Sequence, residues 1–174
     1  MPDPVTTPIL GFAAFSGTGK TTLLVKMLPL LNARGLRVAL VKHAHHEFDI
    51  DHPGKDSYAL RKAGANPMLI GSRNRWALMV ETPGQDEPGL GDLLTHLHVS
   101  DIDLVLVEGF KHASFPKIEL HRPSLGKSLL YPDDRSIIAI AIDESLPETP
   151  PIPQLNLNAP EEIAEFIISK VICA

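Results

Sequence analysis

Apolar residues along this chain come in short runs separated by polar segments, and the period of each run assigns an element. Ile9-Leu10-Gly11-Phe12-Ala13 is apolar throughout, as a strand buried on both faces should be. Leu24, Leu28 and Leu31 then recur at helical spacing, so a helix follows from Thr22, and Gly35 supplies its left-handed cap. Leu36 to Val41 is a second strand, closing a β-α-β unit whose strands run parallel. Beyond the polar segment Lys42 to Lys55, Asp56 caps a short helix, Ser57 to Ala63, that Gly64 ends. Met68 to Ser72 and Trp76 to Glu81 flank the turn Arg73-Asn74-Arg75 and predict a hairpin, inserting antiparallel pairing into the sheet. Pro83 to Gly91 is a loop, and Leu90 to His98 a third helix. Asp103 to Gly109 is a strongly apolar strand ending in an acid, and Ile137 to Ile142 a buried one. Lys117 to Arg122 alternates, as a half-exposed strand does. An extended connector with Pro147, Pro150, Pro151 and Pro153 leads to a last short strand, Gln154 to Leu157. Asn158-Ala159-Pro160-Glu161 reads as a capping box opening a terminal helix, which packs through Ile163, Phe166, Ile167 and Val171.

The turn between the first strand and the first helix carries the chemistry. Ala14-Phe15-Ser16-Gly17-Thr18-Gly19-Lys20-Thr21 fits the phosphate-binding pattern G-x-x-x-x-G-K-[ST], with Ala14 at the first glycine position. A polyphosphate needs several backbone N–H groups pointing into one concavity, and Gly17 and Gly19 let the chain curl without Cβ clashes. Ser16 to Thr22 form the cradle, with the helix that follows directing its unpaired N–H groups at the phosphates. Lys20 reaches the β- and γ-phosphate oxygens, and the Thr21 hydroxyl ligates Mg²⁺. The fold expected is therefore α/β of the P-loop nucleoside triphosphatase type. It is a three-layer sandwich with a mostly parallel central sheet and an antiparallel hairpin.

Composition narrows the setting. The chain has 174 residues, enough for a single domain spanning 1–174, and 44% hydrophobic with 21% charged residues describe a globular protein. A net charge of −5 argues against general nucleic-acid binding. Cys173 is the only cysteine, so no internal disulfide forms and the cytoplasm is the expected compartment. Met1 to Pro8 lacks the basic-then-apolar pattern of a signal peptide, and no apolar run approaches the ~18 residues of a membrane span.

A triphosphate site also needs an acid at the end of an apolar strand. Glu108 supplies it, reaching Mg²⁺ through water or orienting the attacking nucleophile. The loop after the second strand stays open to two readings. His43, His45, His46 and His52 with Glu47, Asp49 and Asp51 form a transition-metal site, or the segment is a switch loop with Asp49 turned toward the Mg²⁺. Lys111 and His112 follow Glu108-Gly109-Phe110 on the phosphate-loop edge of the sheet, as a substrate contact or as surface residues.

Several of these segments, taken in order, resemble the molybdopterin-guanine dinucleotide biosynthesis protein B family. They are Phe15 to Leu23, Lys42 to His46, Pro53 to Tyr58, Arg75 to Met79 and Val107 to His112. The resemblance covers nearly the whole chain and is weakest from Asp86 to Asp101 and from Ser145 to Pro160. It implies a GTP-binding protein with weak GTPase activity. Such a protein assists the molybdenum cofactor guanylyltransferase that joins GMP to molybdopterin. It also implies a homodimer, with the hairpin around Arg73 to Trp76 as a natural pairing surface. No N-K-x-D stretch marks guanine specificity, and Asp143, which ends a strand, is the candidate base contact. Two other classes share the same loop: a small-molecule kinase or ligase, separated by rapid turnover with an acceptor, and a nucleotide-dependent metal carrier, separated by tight stoichiometric metal binding.

Overall fold

The computed structural model describes residues 7–44, 48–84, 86–97 and 101–173. They fall into two compact units, Met1–His43 with Gly89–Ala174, and Ala44–Pro88. The first is built on a six-stranded parallel sheet: β1 (Ile9–Ala13), β2 (Val38–Lys42), β5 (Leu104–Glu108), β6 (Lys117–His121), β7 (Ile137–Ile142) and β8 (Gln154–Asn156), in the order β2-β5-β1-β6-β7-β8. The β1-to-β2 connection is parallel as expected, but the two strands are not neighbours. β5 lies between them, pairing Leu106 with both Leu10 and Leu40.

Apolar layers cover both faces. On one, α1 (Lys20–Ala33) and α4 (Pro160–Ile167) bury Leu23, Leu24, Met27, Leu31, Ile163 and Ile167 against Leu10, Phe12, Leu106, Ile118 and Leu120. On the other, α3 (Leu90–Leu94) brings Leu90, Leu93 and Leu94 to Val41, Val105 and Val107. Among the described residues α3 is shorter than the helix expected to His98, which lies outside them.

β6 corrects the expectation of a half-exposed strand: every residue of it is buried. Ile118 and Leu120 face α1 and α4, while Lys117, Glu119 and His121 face the opposite side, where the β6-to-β7 connection contains a single 3-10 turn (Pro123–Leu125) and no α-helix. Polar side chains hold that connection down. The Lys117 ammonium donates to the Ala113 carbonyl (2.7 Å), Asp134 (2.9 Å) and Ser136 Oγ (2.6 Å). Glu119 accepts from the Leu130 and Tyr131 N–H groups, both at 2.8 Å. Burial pushes the Glu119 carboxyl above its usual range even against those two donors, and burial pushes the His121 imidazolium down against the pull of Asp143.

The second unit holds α2 (Asp56–Lys62) and the hairpin β3 (Met68–Gly71) and β4 (Trp76–Met79). The hairpin is antiparallel as expected but forms its own two-stranded sheet instead of joining the parallel one. Asp56 is the first residue of α2, not its cap, and Lys55 precedes it in extended conformation. The box expected at α4 is likewise replaced. Ala159 occupies the cap position without a side-chain bond, and Asn158 donates its N–H to Asn156 Oδ1. Among the described residues no helix is long and apolar enough to cross a membrane.

Candidate functional site

The phosphate loop joins β1 to α1 at the carboxyl edge of the sheet, where open α/β folds place ligands. Gly17 (φ 84°) and Gly19 (φ 97°) both take the left-handed backbone that the tight curl requires. Gly19 precedes α1 with no side-chain cap, and no acid occupies the first turn. The first N–H groups of α1 and the positive end of its dipole are thus left to an anion. Thr18 is buried and ties the loop to itself, its hydroxyl donating to the Phe15 carbonyl at 2.9 Å. Its side chain is therefore structural, and it is Ser16, Gly17, Gly19, Lys20, Thr21 and Thr22 that line a cavity of about 350 Å³ with Phe15.

Glu108 lines the same cavity. It stands opposite Phe12 in the β1–β5 register, so the strand pairing itself brings this acid beside the loop. Lys42, its register partner on β2, donates to Glu108 Oε2 at 2.9 Å. The chain then turns sharply: Gly109 (φ 101°) and Phe110 (φ 51°) are successive left-handed residues, and a Cβ at Gly109 would meet His43 Cβ at 2.5 Å. His43 stacks on Phe110 with ring centroids 4.7 Å apart and donates its backbone N–H to the Glu108 carbonyl at 2.8 Å. A hydroxyl, a carboxylate and an ammonium on one concavity suit a hard cation on a polyphosphate: Thr21 and Glu108 offer oxygen ligands and Lys20 neutralises charge.

Two of the expected ligands are engaged elsewhere. Asp143 pairs through Oδ2 with Arg122, and its Oδ1 is buried without a hydrogen-bond partner. One carboxylate oxygen is thus held by the guanidinium, and the other is left without a protein donor among the described residues. Asp49 lies in the second unit, where Arg61 binds it together with Asp51 and Glu81. Asp49 is thus neutralised by a guanidinium, whereas Thr21 and Glu108 line the cavity and offer oxygen atoms to a cation. Of the histidine cluster, His45, His46 and Glu47 lie outside the described residues. Among the described residues, no group of three or more His, Cys, Asp or Glu side chains is arranged to hold a metal.

Sequence reasoning missed Arg122. Its Nε donates to the Thr18 carbonyl at 2.9 Å while its NH1 holds Asp143, so one guanidinium fastens the phosphate loop to the ends of β6 and β7. It missed Lys42 as well. The available signal was positional: both residues stand at the carboxyl ends of parallel strands.

A model of the family described as "MobB: Molybdopterin guanine dinucleotide synthesis protein B" matches residues 9–143. The chain is 49% identical over 164 residues to an Escherichia coli K12 protein named "Molybdopterin-guanine dinucleotide biosynthesis adapter protein", covering 92% of this chain and 91% of that one. A Haemophilus influenzae protein of the same name is 41% identical over 161 residues, covering 92% and 87%. Among solved structures, one described as "molybdopterin-guanine biosynthesis protein B (mobB)" superimposes with a TM-score of 0.70 at 30% identity, covering 92% of this chain and 98% of that one.

Proposed function

This chain belongs to the MobB family, and we propose on that footing that it is an adapter protein of molybdopterin-guanine dinucleotide biosynthesis that binds GTP with Mg²⁺. The observation that carries the nucleotide half is the 350 Å³ cavity uniting an uncapped helix start, Lys20, Thr21 and Glu108. When bound, Mg²⁺ would neutralise the β- and γ-phosphate oxygens, held by Thr21 directly and by Glu108 directly or through water. The loop N–H groups orient the phosphates, and Lys20 adds a positive charge where negative charge accumulates on γ-phosphate release. Glu108 aligns the attacking water, and Lys42 holds the carboxylate in place from the β2 side.

The protein acts in the cytoplasm and serves the guanylyltransferase that joins GMP to molybdopterin. GTP turnover by the isolated protein is slow, because Glu108 is the one acid among the described residues that line the cavity. It works as a homodimer. In β3–β4 the register sets Leu69 beside Leu78 and Gly71 beside Trp76, so one face of the hairpin carries Leu69, Trp76 and Leu78, 63%, 63% and 47% exposed. An apolar stripe of this kind on a two-stranded sheet suits a second copy of the same hairpin.

The decisive experiment measures GTP affinity and turnover of the protein alone, and dinucleotide cofactor formation with and without it in the presence of the guanylyltransferase. The expected result is tight GTP binding, slow turnover and a gain in product that Lys20→Ala abolishes. Unchanged GTP affinity in folded Lys20→Ala protein would remove the phosphate-loop assignment. Turnover at ordinary enzyme rates of ~10 per second would replace the adapter with a kinase.

A further inference from the structure

Three neighbouring strands bring Lys42 toward the phosphate loop in one row. The β1–β5 and β2–β5 registers set Phe12, Glu108 and Lys42 side by side, with Glu108 in the middle. The loop leaves β1 just beyond Phe12, so the Lys42 backbone stands two strands, about 10 Å, from its start. The side chain spans much of that gap. Its ammonium lies 2.9 Å from Oε2 of Glu108, the acid that lines the 350 Å³ cavity. An ammonium carries three N–H donors, and among the described residues Glu108 is the one hydrogen-bond partner of this one. The Lys42 side chain is 56% exposed against 12% for Glu108, so the acid is fixed by its surroundings while no packing confines the ammonium.

We propose, on the phosphate-loop reading above, that Lys42 is a second phosphate-binding lysine, donating to the terminal phosphate of a nucleoside triphosphate while it stays on Glu108. A phosphate brought to Glu108 sets a second anion against the carboxylate, and the two repel unless a cation stands between them. Lys42 is placed to be that cation, with donors to spare for phosphate oxygens. The two lysines approach from opposite sides. Lys20, the first residue of α1, meets the phosphates from the loop, and Lys42 meets them from β2, beyond Glu108. The loop N–H groups and Lys20 serve the phosphates nearest the loop, so the one that reaches Glu108 and Lys42 is the terminal one. A diphosphate held by the same loop ends short of Lys42. The consequence is selectivity for triphosphate over diphosphate. Lys42 also ends β2, so the gain or loss of the terminal phosphate acts where the chain leaves the sheet, as suits an adapter whose nucleotide state is read by a partner.

The test is calorimetry of GTP and GDP with a chelator present, which takes metal out of the comparison. Removing Lys42 alone would also leave Glu108 unpaired beside the phosphates. The comparison is therefore made with that acid neutralised, Glu108→Gln against Lys42→Met/Glu108→Gln. Methionine keeps the stem, and a half-exposed side chain at the end of β2 lets the fold tolerate it. The double variant should bind GTP at least about tenfold more weakly than Glu108→Gln, the loss of one charge-assisted bond, with GDP affinity changed less than about twofold. Equal GTP affinity in the two variants would make Lys42 a partner of Glu108 alone and overturn the inference. Parallel losses for GTP and GDP would overturn it too, since Lys42 would then contribute general positive charge and no contact with the terminal phosphate. Both outcomes leave the phosphate-loop reading standing. Wild type binding neither nucleotide, with or without Mg²⁺, would overturn that reading and this inference with it.

Discussion

Replacing Lys117 with methionine tests whether polar bonds do the work of a missing helix on the β6–β7 face. Methionine keeps the length and apolar stem and removes the ammonium, which is almost fully buried and bonded to the Ala113 carbonyl, Asp134 and Ser136. Bonds made by a charged donor contribute about 1.5–3 kcal/mol each, partly offset here by no longer desolvating the ammonium. Removing one partner of a buried pair costs about 3–5 kcal/mol. Asp134 is 31% exposed and recovers some hydration, which puts the expected loss at the lower end, about 3 kcal/mol. With a urea m-value of about 2 kcal/mol/M, the midpoint should fall by about 1.5 M with the slope unchanged. Urea unfolding followed by circular dichroism reads this directly, and Lys117→Met/Asp134→Asn should recover part of the loss. The pH dependence follows from Asp134. Burial alone would raise its carboxyl, but the Ser136 and Lys117 bonds outweigh burial and hold the pKa below the usual aspartate value. The pair's contribution is therefore complete above the unfolded pKa of about 4 and is lost as pH falls through the lower folded value, so the gap between wild type and variant closes in acid. A midpoint shift below about 0.4 M at neutral pH would refute the reasoning, since the connection would then be held by apolar packing alone.

Three further outcomes are expected. Thr21→Ala should weaken the Mg²⁺ dependence of GTP binding while leaving Mg²⁺-free binding near wild type in calorimetry with and without chelator. Glu108→Gln should lower GTP hydrolysis by ~10-fold or more with little change in thermal stability, because Lys42 is half exposed and rehydrates; equal hydrolysis rates would return Glu108 to a structural role. Leu69→Glu/Leu78→Glu places like charges on register partners of the exposed hairpin face and should convert a dimer to a monomer in analytical ultracentrifugation; an unchanged mass would move the dimer interface elsewhere.

The phosphate loop was legible in the sequence because its requirements are local: two left-handed glycines, a lysine and a threonine within one turn, between a strand and a helix. Strand-end acid Glu108 was legible for a related reason, since a parallel sheet delivers every strand's carboxyl end to one edge. What escaped depended on partners far along the chain. Arg122 lies 104 positions from the carbonyl it holds, and nothing in its own segment distinguishes it from a solvated cation. The insertion of β5 between β1 and β2 is likewise a long-range choice that periodicity does not record. β6 is the instructive case. Alternation correctly placed Lys117, Glu119 and His121 on one face, but period says only which residues share a face and not what covers it. An α-helix over that face would have demanded apolar residues. A helix-poor connection instead brings unsatisfied backbone groups and short polar side chains, and a buried lysine and glutamate satisfy them at fixed positions. The same substitution explains Arg122: with β6 pinned by polar bonds along its length, the residue that follows it is held firmly enough for a guanidinium to fix the phosphate loop on one side and Asp143 on the other.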